Sequence, residues 1–166
     1  MNEIIKKYVH QNWDDVSKYR NDKYYFCKTD SNLEKDFTEV QYQLEIKIPK
    51  ELKLFYKNIG FGFLWFNLKQ KKGIYRILSP EEILDLYFEP ESEEVSDDFI
   101  TYRENAWEKL KTNKLLAFCL FGEEDSLIYI GVTDGNIYYL SSDNKIANSF
   151  SDFLKRLDEK VDYFMN

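Results

Sequence analysis

The sequence predicts an α+β fold in a single domain, with helices packed against a mainly antiparallel sheet of about five strands. Three observations lead there. Apolar residues recur at helical spacing in several separate stretches. Between these stretches lie two strand-like runs and then three more, rich in β-branched and aromatic residues. Within each group the runs are joined by turn signals too short for a crossover helix, which makes the neighbours antiparallel. There is no internal repeat and no interdomain linker in the 166 residues.

Taken in order, Ile4, Ile5, Tyr8 and Val9 define a short amphipathic helix over residues 3–13. The Tyr24-Tyr25-Phe26-Cys27 run is either a short strand or a packed loop. Ser31-Asn32 precedes Leu33, Phe37, Val40 and Leu44, which fall on one helical stripe, and Glu34 stands where a capping box needs it. Pro49 opens a further helix with Leu52, Phe55, Tyr56 and Ile59 on its apolar face, stopped by Gly60. Gly62–Leu68 reads as a buried strand, Gln70–Gly73 as a hairpin loop and Ile74–Leu78 as the returning strand. Ser79-Pro80-Glu81-Glu82 is a helix start with a hydroxyl cap, a proline and two acids facing the dipole. Ile83, Leu84 and Tyr87 continue it, and Glu89–Ser96 follows as an acidic loop. Phe99, Tyr102, Ala106, Trp107 and Leu110 give the next helix. Leu115–Phe121 should be a central strand, because it is almost wholly apolar. Ser126–Val132 and Asn136–Leu140 form a hairpin through Asp134-Gly135. Ser149 caps a last helix bearing Phe150, Phe153, Leu154 and Leu157, extending towards Val161 and Phe164.

Composition narrows the function. With 43% hydrophobic and 17% aromatic residues, and only 6 Gly and 3 Pro, the chain is neither disordered nor low in complexity. Its apolar runs fall short of the roughly 20 residues a membrane-spanning helix needs. No secretory signal or lipidation motif is seen, so a cytoplasmic protein without membrane contact is expected. Cys27 and Cys119 form no CxxC pair and are expected to be reduced, buried thiols. The net charge is −7, which argues against direct nucleic-acid binding and favours a basic partner. That charge is concentrated. Residues 81–108 hold eleven acids and one base, a net of −10, against 22 bases and 19 acids in the remainder. Such a cluster draws in a cationic surface; an ordinary solvated helix face and loop is the alternative.

The catalytic inventory is thin. His10 is the only histidine, and GxSxG, GxxxxGK[ST] and GxGxxG are absent. Asp30, Asn32, Glu34 and Asp36 alternate, but the glycine and closing glutamate of a calcium loop are missing. No cofactor and no metal are therefore expected. Glu123-Glu124-Asp125 is a tight acidic turn that could meet an arginine or a cation, although a solvated turn is the commoner reading. Tyr138-Tyr139, Tyr129, Tyr24-Tyr25, Trp65 and Trp107 exceed what a small core requires and such residues commonly anchor interfaces, but ordinary packing on a half-buried sheet is favoured for most of them, with one of Tyr138 and Tyr139 facing inward and the other outward.

Several of these pieces stand in a recognisable order. Lys47-Ile48-Pro49 leads into the helix Glu51–Gly60, and Leu78-Ser79-Pro80-Glu81-Glu82-Ile83 follows a strand pair. An apolar strand then ends in an acidic turn, Phe118 to Asp125. Gly135-Asn136-Ile137-Tyr138 and Ala147-Asn148-Ser149-Phe150-Ser151-Asp152-Phe153-Leu154 complete the series. This arrangement resembles the SUKH superfamily, which includes the Smi/Knr cell-wall-synthesis regulators of yeast. The resemblance spans Ser31 to Leu157, leaving residues 1–30 as an N-terminal extension and 31–157 as the family core of one domain. The chain departs from the family at Ile59-Gly60-Phe61-Gly62, where Asn-Gly or Gly-Gly is common, and at Gly122-Glu123, where Gly-Asp is common.

The resemblance implies an α+β fold without enzymatic activity. It also implies, for a bacterial member, an immunity protein that neutralises a cognate toxin, often a nuclease. Nuclease surfaces are basic because they hold phosphates, so an acidic protein can cover them. The expected partner-binding residues are Glu89, Glu91, Glu93, Glu94, Asp97 and Asp98, with Glu123, Glu124 and Asp125 as a second patch. Two other readings compete: a regulatory scaffold that binds a cellular protein, and, more remotely, a carboxylate-dependent hydrolase. The sequence leaves the toxin and the oligomeric state open.

Overall fold

The computed structural model describes residues 24–27, 33–67, 72–88, 97–122 and 126–165, with the backbone alone at 24–27, 33–34, 65–67, 72–73 and 97–101. The chain order is β1 (Tyr24–Cys27), α1 (Leu33–Gln43), α2 (Lys50–Asn58), β2 (Phe61–Asn67), β3 (Lys72–Ile77), α3 (Pro80–Tyr87), α4 (Asp97–Asn113), β4 (Leu115–Phe121), β5 (Ser126–Gly131), β6 (Ile137–Tyr139), β7 (Lys145–Ala147) and α5 (Phe150–Glu159). The strands form one sheet in sequence order, β1 to β7, and every neighbouring pair is antiparallel. The α+β reading holds. The five expected strands are β2 to β6, and two short strands extend the sheet, one at each edge. The helix expected at residues 3–13, His10, the Ser31 cap and the loop tip at 68–71 lie outside the described residues.

The helical stripes read from the sequence point into the core. Phe37, Val40 and Leu44 of α1 and its exit are buried, as are Leu52, Phe55, Tyr56 and Ile59 along α2. On α5 the buried set is Phe150, Phe153, Leu154 and Leu157. Burying a side chain of this size stabilises by about 1.5–3 kcal/mol, so these faces fix where the helices sit. Phe118 of β4 meets Phe150 and Phe153 edge-on, with centroids at 5.7 and 6.0 Å. Gly60 follows α2 with φ at +112°, a conformation that glycine adopts without steric cost. The expected Asp-Gly turn is present: Gly135 has φ +73°, and Asp134 Oδ1 accepts from the Asn136 N–H at 3.0 Å.

Two features differ from the sequence reading. β7 was not foreseen, because three residues behind a polar turn carry no usable period. The last helix stops at Glu159, and the tail folds back across the sheet. There the Tyr75 hydroxyl donates to the Val161 carbonyl, the Tyr163 hydroxyl donates to the Ile146 carbonyl at 2.9 Å, and Phe164 packs on Phe121 and Tyr139. The ordinary packing expected for most of the aromatics holds at Tyr129 and Tyr139, which are buried, and Tyr138 beside Tyr139 is only half-buried, as strand alternation requires. β5 is covered on both sides, so Tyr129 is buried with its neighbours.

Cys119 is a buried free thiol. Cys27 stands on β1, three strands away, or about 14 Å at the usual strand spacing. That exceeds disulfide reach, so the fold keeps the two apart. Among the described residues no helix is long and apolar enough to cross a membrane.

Candidate functional site

The acidic stretch is built on α3 and α4. Ser79 caps α3 by accepting the Glu82 N–H at 3.1 Å, while Glu82 Oε2 accepts the Ser79 N–H at 2.7 Å. Glu82 Oε1 also pairs with Arg76 of β3. This carboxylate is thus committed to the fold. Glu81, Asp85, Glu104 and Glu108 are exposed, and none of them forms an ion pair with a described residue. Asp97 and Asp98 open α4, where a helix dipole favours negative charge. Glu89, Glu91, Glu93, Glu94, Glu123, Glu124 and Asp125 lie outside the described residues.

α4 folds back along the strand that follows it. Lys109 Nζ lies 5.6 Å from the centroid of Tyr129 on β5, and Tyr102 shares a hollow of about 260 Å³ with Leu120 of β4. The Asp97-Asp98 end of α4 and the Phe121-Gly122 end of β4 therefore fall on the same side of the molecule. Arg76, Glu82, Asp85 and Leu86 line the same hollow.

An aromatic junction holds the corner. The Trp107 indole donates to the Tyr87 carbonyl at the end of α3, and its ring meets Tyr87 and Phe88 edge-on at 5.2 and 5.7 Å. Lys111 Nζ sits 4.9 Å from the same ring. The Tyr87 hydroxyl accepts the buried Ala117 N–H at 3.0 Å, beside the register shift of β4 against β5. Burial pushes the Tyr87 phenol well above its ordinary value, which keeps it neutral and structural. Phe88 was missed in the sequence. It is 37% exposed and stands immediately before the acidic loop. Its signal was an aromatic directly after the last buried position of α3.

Nothing described here arranges a nucleophile with a base. Burial raises the Cys119 thiol and the Tyr56 phenol far from reactive values. The Tyr56 hydroxyl is used in donating to the Leu78 carbonyl. Among the described residues no group of three His, Cys, Asp or Glu converges as metal ligands would.

Comparison with known proteins adds a lineage. No solved structure matches the chain. Immunity protein YxxD of Bacillus subtilis (strain 168) is 32% identical over 154 residues, spanning 86% of this chain and 95% of that protein. The family model for the SMI1 / KNR4 family (SUKH-1) matches residues 32–156, running from just before α1 nearly to the end of α5. With the antiparallel meander and its helices in this order, the chain belongs to the SMI1 / KNR4 (SUKH-1) family.

Proposed function

We propose that this protein is an immunity protein: a non-catalytic cytoplasmic binder that neutralises a cognate toxin with a basic surface. The observation that carries the reading is the 32% identity to a protein named as an immunity protein, over 95% of that relative's length. The charge distribution gives it a mechanism. The −10 stretch at 81–108 steers a cationic surface, and a nuclease, which must hold phosphates, presents one. Glu89, Glu91, Glu93, Glu94, Asp97 and Asp98 form the main patch, and Glu123, Glu124 and Asp125 the second. Phe88, exposed at the edge of the main patch, supplies an apolar anchor of the kind that dominates interface energetics.

Co-expression tests the role. The toxin domain encoded beside this gene should arrest growth alone and be tolerated when this protein is present. Changing Glu91, Glu93, Asp97 and Asp98 together to Lys should slow association with that toxin by about tenfold or more at low salt. Failure of rescue removes the immunity role. Rescue with an unchanged association rate removes the acidic patch as its means.

A further inference from the structure

The hollow between α3, α4 and the sheet has the size and lining of a slot for one side chain. Its volume of about 260 Å³ is below the roughly 300–1,000 Å³ of sites for drug-sized ligands. Leu78 and Leu86, both buried, and the half-buried Leu120 and Tyr102 give it apolar walls. Such walls suit the methylene stem of a long side chain whose head stays near water.

The charge around the slot is negative. Glu82 and Asp85 line it against a single base, Arg76. Arg76 pairs with Glu82, so those two charges offset each other and Asp85 is left over. Asp85 is exposed and forms no ion pair with a described residue. Glu81 stands one turn before it on α3, and on α4 Asp98 and Glu104 stand before and after Tyr102 and Arg103. Five acids thus stand around the hollow (Glu81, Glu82, Asp85, Asp98 and Glu104) against Arg76 and Arg103, a net of −3. The −10 stretch at 81–108, to which all but Arg76 belong, adds its field in the same direction.

We infer that this hollow receives one arginine side chain from the surface of a protein partner, its stem packed between the leucines and Tyr102 and its guanidinium against Asp85. Arginine suits the slot better than lysine, because its planar and weakly hydrated head can give a carboxylate two N–H groups at once. An acidic side chain meets the net negative charge, and a purely apolar one leaves Asp85 without a counterpart. The inference rests on the immunity reading for the identity of the partner. It adds to that reading a single contact of defined chemistry: the summed acids govern how fast a basic partner arrives, and the slot governs how long it stays.

The test titrates the isotope-labelled full chain with N-acetyl-arginine amide at low salt and follows the methyl signals of Leu86 and Leu120. Saturable shifts are expected there, weaker ones with the lysine analogue, and none with the citrulline analogue, which keeps the shape of arginine without its charge. Asp85→Asn, at an exposed position, should weaken arginine binding by about fivefold, as the loss of one exposed ion pair would, and Asp85→Glu should keep most of it. With the toxin domain encoded beside this gene, Asp85→Asn should speed dissociation more than it slows association. Four results overturn the inference: no saturable shift at these methyls, citrulline binding as well as arginine, unchanged arginine affinity in Asp85→Asn, or unchanged dissociation of that variant from the toxin. Co-expression separates this inference from the reading it rests on. Rescue without the arginine shifts removes the slot and keeps the immunity role, and the arginine shifts without rescue do the opposite.

Discussion

The acids of the α3–α4 corner and those of the β5–β6–α5 end differ in what they touch. Among the described side chains of the corner, Glu81, Asp85, Glu104 and Glu108 face solvent, and only Glu82 is committed to the fold. Around the other end three carboxylates each accept a backbone N–H. Asp134 organises the β5–β6 turn, Glu51 reaches across to the first turn of α5, and Asp152 accepts the Asn148 N–H at 2.9 Å beside Arg156 at 3.1 Å. The density of acids in the sequence does not separate the two groups. Position within the turn does: Glu82, at the third position of α3, reaches back to the Ser79 N–H, whereas Glu81 in the same turn and the acids along the exposed flanks do not. The first group builds the molecule, and the second engages no described backbone donor.

That contrast can be broken most forcefully at the β5–β6 turn. A Cβ added to Gly131 would lie 2.0 Å from Asp134 Oδ1, and Asp134 is held by its own hydrogen bonds. Gly131→Ala should therefore destabilise by about 2–3 kcal/mol in chemical denaturation. In an Asp134→Ala background the same change should cost much less, since the clashing group is gone. Equal costs in both backgrounds would show that Asp134 is not the rigid element. Tyr87→Phe comes next. It leaves the buried Ala117 N–H without its partner and should cost about 1–3 kcal/mol. Partner binding should weaken by no more than the stability loss explains, because Tyr87 supports the corner from inside.

The same contrast accounts for what the sequence made legible. The stripes of α1, α2 and α5 were readable because burial follows a period of 3.6 residues, and the Ser79 and Ser149 caps were readable because both partners lie three residues apart. Glu82 could be assigned as a capping acid from sequence, but not as the partner of Arg76, which reaches it from a neighbouring strand. Trp107 was flagged, yet its contacts with Tyr87 and Phe88 arise only when α3 and α4 pack together. The return of the tail depends on Tyr75, 86 positions from Val161, and no local pattern encodes that. Of the expected partner-binding residues, only Asp97 and Asp98 fall among those described, at the start of α4.

Asp152 gives the contrast a pH signature. Burial alone would raise its carboxyl, but the Asn148 N–H and Arg156 hold it below the ordinary carboxylate range. A lowered folded-state value means that the unfolded chain takes up the proton first. The stabilisation is thus complete above the unfolded carboxylate range, near pH 4, and disappears as pH falls through the lower folded value. Asp152→Asn should cost about 1 kcal/mol at neutral pH, and the gap from the parent protein should close in acid when thermal midpoints are followed against pH. A gap that persists at low pH would assign the loss to packing.

The smallest expected effect is the most informative about function. Changing Glu81, Asp85, Glu104 and Glu108 together to Gln removes four charges that no described residue engages. Each exposed substitution should move stability by no more than about 0.5 kcal/mol. Relief of repulsion within the −10 stretch favours the variant, and the combined change should lie near zero or slightly above it. Association with a basic partner should nevertheless slow, most of all at low salt, because steering depends on the summed field rather than on any single contact. A variant that folds as well as its parent yet binds more slowly separates charge kept for recognition from charge kept for structure. If it instead loses a full kcal/mol or more in denaturation, the corner acids are structural like those at the opposite end, and the distinction between the two regions fails.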